Sequence, residues 1–297
     1  SGALEATVAR DKEIEDVFRM LDSGKSSVVL VGDQGVGKKS IIHGIVQRMI
    51  EDKGPALLYD KRLVQLSTTA LLAGTTMSGA QERLIRMMNE MTRAKNIVLF
   101  IENIDDLIGG AQTDGFDVSE ALAEFISAGR VILFATASSE GYNQRIVRSQ
   151  IGSVLGKVAI EEMDSNQAIQ VLQAKVPVVE YQKGVFFLYD ALASCVSYAT
   201  RFLHEQRLPE SAMALMNEAA AYCVSTKKGN PLVEPNDIAA IVEQKTGIRA
   251  ASISQDEGQK LLRLEEEMHR RMIGQEEAVT LVASALRRAR AEIRSKK

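Results

Sequence analysis

Residues 27–52 read SVVLVGDQGVGKKSIIHGIVQRMIED, and their order decides the fold. SVVLVG (27–32) is continuous, apolar and β-branched, the signature of a strand buried on both faces. Apolar residues at 41, 42, 45, 46, 49 and 50 then form a helical stripe. Between strand and helix lies a glycine-rich turn, Gly32, Asp33, Gln34, Gly35, Val36, Gly37, Lys38, Lys39 and Ser40. The phosphate-binding loop pattern asks for Gly, four residues, Gly-Lys, then Ser or Thr. Gly32, Gly37 and Lys38 satisfy it. Lys39 stands where the hydroxyl belongs, and Ser40 follows one place late.

The same alternation continues outward. QERLIRMMNEMTRA is helical; NIVLFIEN (96–103) and RVILFATAS are buried strands; VSEALAEFISAG is a helix closed by Gly129; RLVQLS and GKVAIEEM complete the strands. Strand and helix in turn predict an α/β domain with a parallel sheet sandwiched by helices. After Asp164 the texture becomes helical: SNQAIQVLQAKV, GVFFLYDALASCVSYATRFL, PESAMALMNEAAAYCVS and EPNDIAAIVEQKTG. Asn236 or Asp237 is the expected N-cap of the last. The division is a large α/β unit over 1–163, a small all-helical lid over 164–250, and a connector with an amphipathic basic-ended helix over 251–297. The stripe Val279, Val282, Leu286, Ala289 and Ile293 marks that helix.

Composition narrows the function classes. The 297 residues are 45% hydrophobic and 25% charged with a net charge of −3, so no global basic field favours nucleic acid. Arg287, Arg288, Arg290, Arg294, Lys296 and Lys297 read as a solvated helix end. No apolar run approaches the ~20 residues of a membrane span. Cys195 and Cys223 form no disulfide framework, which points to a reducing, cytoplasmic setting. His43, His204 and His269 lack metal-ligand spacing.

Together these pieces resemble an AAA+ P-loop module, and more closely the first ATPase domain of two-ring Clp-type unfoldases. The resemblance rests on segments in the family's order. LLAGTTMSGAQERL resembles the pore-loop segment, FATASSEGY the sensor 1 strand, and RLPESAMALMNEAAA the Leu-Pro-Asp-Lys-Ala-Ile-Asp run. KTGIR resembles Thr-Gly-Ile-Pro, and MIGQEEAV resembles the motif opening the second ATPase domain. The coiled middle domain of some members has no room between Ala219 and Glu234. The resemblance implies bound ATP or ADP and ring assembly, a hexamer in the full-length protein. It implies neighbouring subunits and an own second AAA+ domain as partners, with protein substrates and a Clp-type peptidase beyond them. No nucleic-acid or membrane partner is expected.

The departures from the family's motifs concern hydrolysis. Glu102 and Asn103 stand where the family has Asp-Glu, and an amide takes no proton near neutral pH. Asp105 and Asp106 read as solvated turn acids or helix caps. Ala137 aligns with sensor 1, with Thr136 or Ser138 as substitutes if the register shifts. Ser153 and Val154 replace the paired finger arginines, and Arg145 and Arg148 read as an exposed helix face. Met77, between Thr76 and Ser78, fills the pore-loop Tyr position. Lys39 cannot ligate Mg²⁺, so Mg²⁺ dependence is doubtful, and Lys39 is a candidate to offset phosphate charge in its stead. Ser40, about 100° further round a helix of about 3.6 residues per turn, is expected to point away. Three readings stay open: a hydrolysis-deficient module that binds nucleotide and serves assembly, an active ATPase that relies on Glu102 and unrecognised substitutes, and a nucleotide-free scaffold.

Overall fold

The computed structural model describes residues 7–108, 118–204, 206–247, 279–282 and 284. The connector over 251–272, all but the last residue of the MIGQEEAV motif over 272–279, His269 and the basic end of the last helix lie outside the described residues. Within that helix, 279–282 and 284 are helical.

The large unit opens with α1 (Asp11–Asp22), β1 (Val28–Val31) and α2 (Lys38–Ile50). It continues through β2 (Arg62–Leu66), α3 (Thr68–Leu72), α4 (Met77–Ala94) and β3 (Ile97–Ile101), then α5 (Ser119–Ser127) and β4 (Ile132–Ala137). The short helices α6 (Ser139–Gly141) and α7 (Gln150–Val154) lead to β5 (Gly156–Ala159). The five strands form one sheet in the order β2-β3-β4-β1-β5, with every neighbouring pair parallel.

Strand alternation explains why this sheet needs cover on both faces. Val28 and Leu30 pack with Ile14, Val17, Ile41 and Ile45 of α1 and α2. Their neighbours Val29 and Val31 pack with Leu84, Met88 and Leu122 of α4 and α5. β3 and β4 divide the same way, Phe100 and Phe134 to the first face, Leu99, Ile101, Leu133 and Ala135 to the second. A parallel sheet between two helical layers places the ends of its central strands, and the loops after them, at one open edge.

α4 begins at Met77, four residues before the helical run the sequence marks. The Thr76 hydroxyl accepts a hydrogen bond from Gly79 N at 3.3 Å and caps the helix. Thr76, Met77 and Ser78 therefore form the start of a helix, with Arg83 Nη1 tied back to Ala73 O at 2.9 Å.

The lid comprises α8 (Ser165–Lys183), α9 (Tyr189–Phe202), α10 (Glu210–Thr226) and α11 (Pro235–Thr246) around its own core of Leu172, Cys195, Leu215, Met216, Cys223 and Ile238. Asp164 and Gln167 close the capping box that starts α8. A short parallel ladder, β6 (Phe186–Phe187) with β7 (Leu232–Val233), accompanies the helices. The chain passes from α10 to β7 within a few residues, which leaves no inserted domain there.

The N-cap of α11 is Glu234, not Asn236 or Asp237. Pro235 occupies the first helical position, where its missing N–H is no loss. The cap thus falls two residues before Asn236, and Asp237 accepts from Glu234 N at 2.7 Å as the other half of a capping box.

Candidate nucleotide-binding cleft

The glycine-rich turn folds because its glycines adopt backbone that side chains resist. Gly35 has φ +86° and Gly37 φ +91°, in the left-handed region. Gly37 also ends the turn as the N-cap of α2, so the following amides begin a helix whose positive end faces the cleft. Underneath, Arg10 is 2% exposed and donates through Nη2 to Val36 O and, at 3.2 Å, to Glu161 O. It also pairs with Glu13. Sequence reasoning did not single out Arg10; its partners lie as far as 151 residues away along the chain.

A cleft of about 480 Å³ opens above this turn. Gln34, Gly35, Gly37, Lys38 and Lys39 line it from the loop and α2, Glu102, Asn103, Asp105 and Asp106 from the segment after β3, Thr136 and Ser138 from β4 and beyond, and Glu210 from the lid. Gly32, Asp33, Val36 and Ser40 belong to the loop or its helix but do not line the cleft. No arginine is among the described residues that line it.

Two ammonium groups dominate the floor. Lys38 Nζ folds back onto Gly32 O at 2.7 Å and Asp33 O at 2.9 Å. Burial lowers its pKa, while the negative charges of Asp105, Asp33, Glu210 and Glu102 act the other way. Lys39 Nζ reaches across to Glu102 Oε2 at 3.2 Å. The same oxygen accepts from Gln65 Nε2 of the edge strand, also at 3.2 Å.

Asn103 has φ +50° and ψ +56°, a left-handed conformation that asparagine tolerates better than most residues. Its backbone N–H donates to Thr136 Oγ1 at 2.9 Å, which ties the end of β3 to β4. A 3₁₀ turn over Ile104–Leu107 follows.

Three positions differ from their sequence reading. Asp105 is no solvated turn acid: it is 5% exposed. Its Oδ2 accepts from Ser138 Oγ at 2.6 Å and Ser138 N at 3.3 Å, and its Oδ1 has no hydrogen-bond partner among the described residues. Arg145 does not project from an exposed face. Its Nη1 donates to Asp105 O at 2.7 Å from a π-helical turn over Tyr142–Ile146. Arg148 is exposed. Ala137 is fully buried beside Ala135 and Leu133. The strand period of two sends Thr136 to the opposite side, and Thr136 and Ser138 are the residues that reach the cleft. Asp106 remains exposed, its pKa raised by partial desolvation and by the charge of Asp105, with Arg145 Nη1 3.8 Å away.

The lid closes one side of the cleft directly on the loop. Arg207 N donates to Gln34 O and Glu210 N to Gly35 O, each at 3.4 Å. Arg207 Nη1 and Leu208 N engage Glu162, in the segment between β5 and α8. A methyl group at Gly35 would lie 3.1 Å from Arg207 O and 3.1 Å from Glu210 Cβ.

The Clp-type resemblance implies Mg²⁺ at this cleft, and Lys39 stands at the position of its usual hydroxyl ligand. The hydroxyl position is an ammonium, which has donors only. The acid that would face the metal already carries that ammonium and a hydrogen bond. No helix among the described residues is long and apolar enough to cross a membrane.

A parallel sheet in the order β2-β3-β4-β1-β5, a glycine loop after β1 and a helical lid against that loop define an AAA ATPase module. Residues 28–156 match the family model of ATPases associated with various cellular activities, and residues 164–270 match the AAA lid domain. The chain belongs to this family, and it is similar to Clp-type members of it. It is 29% identical to the ATP-dependent Clp protease ATP-binding subunit ClpE of Bacillus subtilis, over 100% of this chain and 50% of the relative. It is 28% identical to the negative regulator of genetic competence ClpC/MecB of B. subtilis, over 99% and 44%. Among solved structures, the S. cerevisiae Hsp104-ADP complex superposes with a TM-score of 0.84 at 29% identity, covering 96% of this chain and 50% of Hsp104. The S. cerevisiae Hsp104:casein complex in its extended conformation matches with a TM-score of 0.74 at 30% identity, over 96% and 49%. The chain spans about half the length of the relatives it matches. That match is consistent with the first ATPase domain of a Clp-type unfoldase.

Proposed function

We propose that this chain is a Clp-type ATPase module that keeps its phosphate cradle and has lost hydrolysis, serving assembly of an unfoldase ring. One observation carries the reading: the second residue after β3, where the family places its general base, is an asparagine. Glu102 is paired with Lys39, and Asn103 bears an amide that cannot accept a proton from water. Removing a general base alone costs about 10²–10⁴ in rate. The glycine loop, Lys38, Lys39 and the N-terminus of α2 support binding of ATP or ADP without need of that chemistry.

In this reading the large unit spans 1–163, the lid 164–250, and 251–297 leads into a second ATPase domain. The full-length protein assembles as a hexamer, the lid of one subunit against the large unit of the next, in the cytoplasm. Its substrates are proteins, by analogy with the casein complex of Hsp104. A Clp-type peptidase is the further partner suggested by the names of the relatives. The segment Thr76, Met77 and Ser78 offers substrate only a weak grip, since no aromatic residue stands there.

The test is a paired measurement on the 297-residue chain: equilibrium binding of ATP and ADP, and release of inorganic phosphate, each with Lys38→Ala as control. Saturable binding lost in the control, with phosphate release no faster than the control, supports the reading. A second reading, turnover with Asp105 as base, is favoured by the partnerless Asp105 Oδ1 in the cleft wall. It requires phosphate release that Asp105→Asn abolishes. Absence of any saturable binding leaves the scaffold reading.

A further inference from the structure

We infer that Lys39 is the cation of this site, so that the cleft takes its nucleoside di- or triphosphate in the metal-free form. The inference rests on the nucleotide-binding reading above and adds which species binds and which residue selects it.

The geometry starts from Glu102. Its Oε2 accepts from Lys39 Nζ and from Gln65 Nε2, each at 3.2 Å, so one carboxylate oxygen is held by α2 and by the edge strand β2 at once. Lys39 is 51% and Glu102 39% exposed, so the pair is reachable from the cleft and its ammonium is free to change partners. Lys38 rests on the carbonyls of Gly32 and Asp33. A polyphosphate entering over the loop offers both ammonium groups stronger acceptors than carbonyl oxygens, because charge-assisted hydrogen bonds to phosphate are the shorter and stronger kind. Glu102 then remains as the counter-charge that positions Lys39.

A divalent cation has no equivalent place. Ser40 is the only hydroxyl of the loop and does not line the cleft. The remaining carboxylates do not assemble a substitute site. Asp105 Oδ2 is committed to Ser138 and its Oδ1, unpartnered among the described residues, is buried; Asp106 is exposed with Arg145 Nη1 3.8 Å away, and Glu210 enters from the lid. A metal–nucleotide complex would bring two positive charges beside an ammonium, in a partly desolvated cleft where like charges repel more strongly than in water.

Calorimetric titration of the 297-residue chain with ADP and with ATP, in EDTA and in excess Mg²⁺, tests this. The wild-type chain is expected to bind at least as tightly in EDTA as in Mg²⁺. Lys39→Thr, which supplies a hydroxyl and removes the charge, is expected to lose affinity in EDTA and to shift the Mg²⁺-to-EDTA affinity ratio toward the metal by on the order of tenfold. Wild-type binding that is tenfold tighter in Mg²⁺, or an affinity ratio that Lys39→Thr leaves unchanged, overturns the inference while nucleotide binding stands. No binding in either buffer overturns both.

Discussion

Arg207 Nε stands 3.1 Å from Asp33 Oδ2, and the same guanidinium reaches Glu162 Oε2 at 3.3 Å, so one lid side chain clamps the phosphate loop and the segment after β5. All three side chains are about half exposed, and such pairs are worth roughly 0–1 kcal/mol each. Arg207→Ala should therefore lower global stability by no more than about 2 kcal/mol. Its larger effect should be local: faster amide exchange over 33–37 and 207–210, measured by mass spectrometry. Unchanged exchange there means the clamp does not hold the lid.

The two left-handed glycines of the loop separate backbone strain from lid contact. Either Gly→Ala change places a side chain at positive φ, at roughly 1–2 kcal/mol. At Gly37 nothing lies within 4 Å of the added methyl, whereas at Gly35 it presses on Arg207 and Glu210. Chemical unfolding should show similar or greater loss for Gly35→Ala. Only Gly35→Ala should raise protease cleavage or exchange at the start of α10.

Asp105 and Ser138 offer a test of the cleft wall. Ser138→Ala removes a 2.6 Å hydrogen bond to a buried carboxylate and should cost about 1–3 kcal/mol in urea unfolding. A methyl group at Gly141 would fall 1.9 Å from Asp105 Oδ2. Gly141→Ala should cost a further-reaching ~1–3 kcal/mol of overpacking and displace the turn that carries Arg145.

Much of this architecture was legible because local sequence and global fold agree. The runs at 28–31, 97–101 and 132–137 are continuous and β-branched, as strands buried on both faces must be, and the glycines announce the loop between β1 and α2. Other features depend on residues brought together only by folding. Asp105 looks like a turn acid until Ser138, 33 residues later, and Gly141 close over it. Arg10 looks like surface charge until Val36 O and Glu161 O converge on it. The choice between Ala137 and its neighbours needed the strand register, since a shift of one residue reverses every side chain.

Both cysteines lie in the lid core, and burial pushes the Cys195 thiol up to about 12 and the Cys223 thiol to about 11. A thiol whose folded pKa is raised contributes stability fully present below the unfolded value. That contribution is lost as pH rises toward the folded value, so the lid should weaken in the alkaline range above the ordinary thiol pKa and not near neutrality. At pH 8 both thiols should react slowly with a disulfide reagent in the native chain and fully in denaturant. Rapid native labelling contradicts the burial.

The central claim is a cradle that binds phosphate without cleaving it, and single-turnover phosphate release with nucleotide binding measured in the same sample tests it most directly. The account predicts saturable ATP binding that Lys38→Ala abolishes, with phosphate appearing no faster than in that variant. Phosphate release well above the Lys38→Ala level, in step with bound ATP, would contradict it.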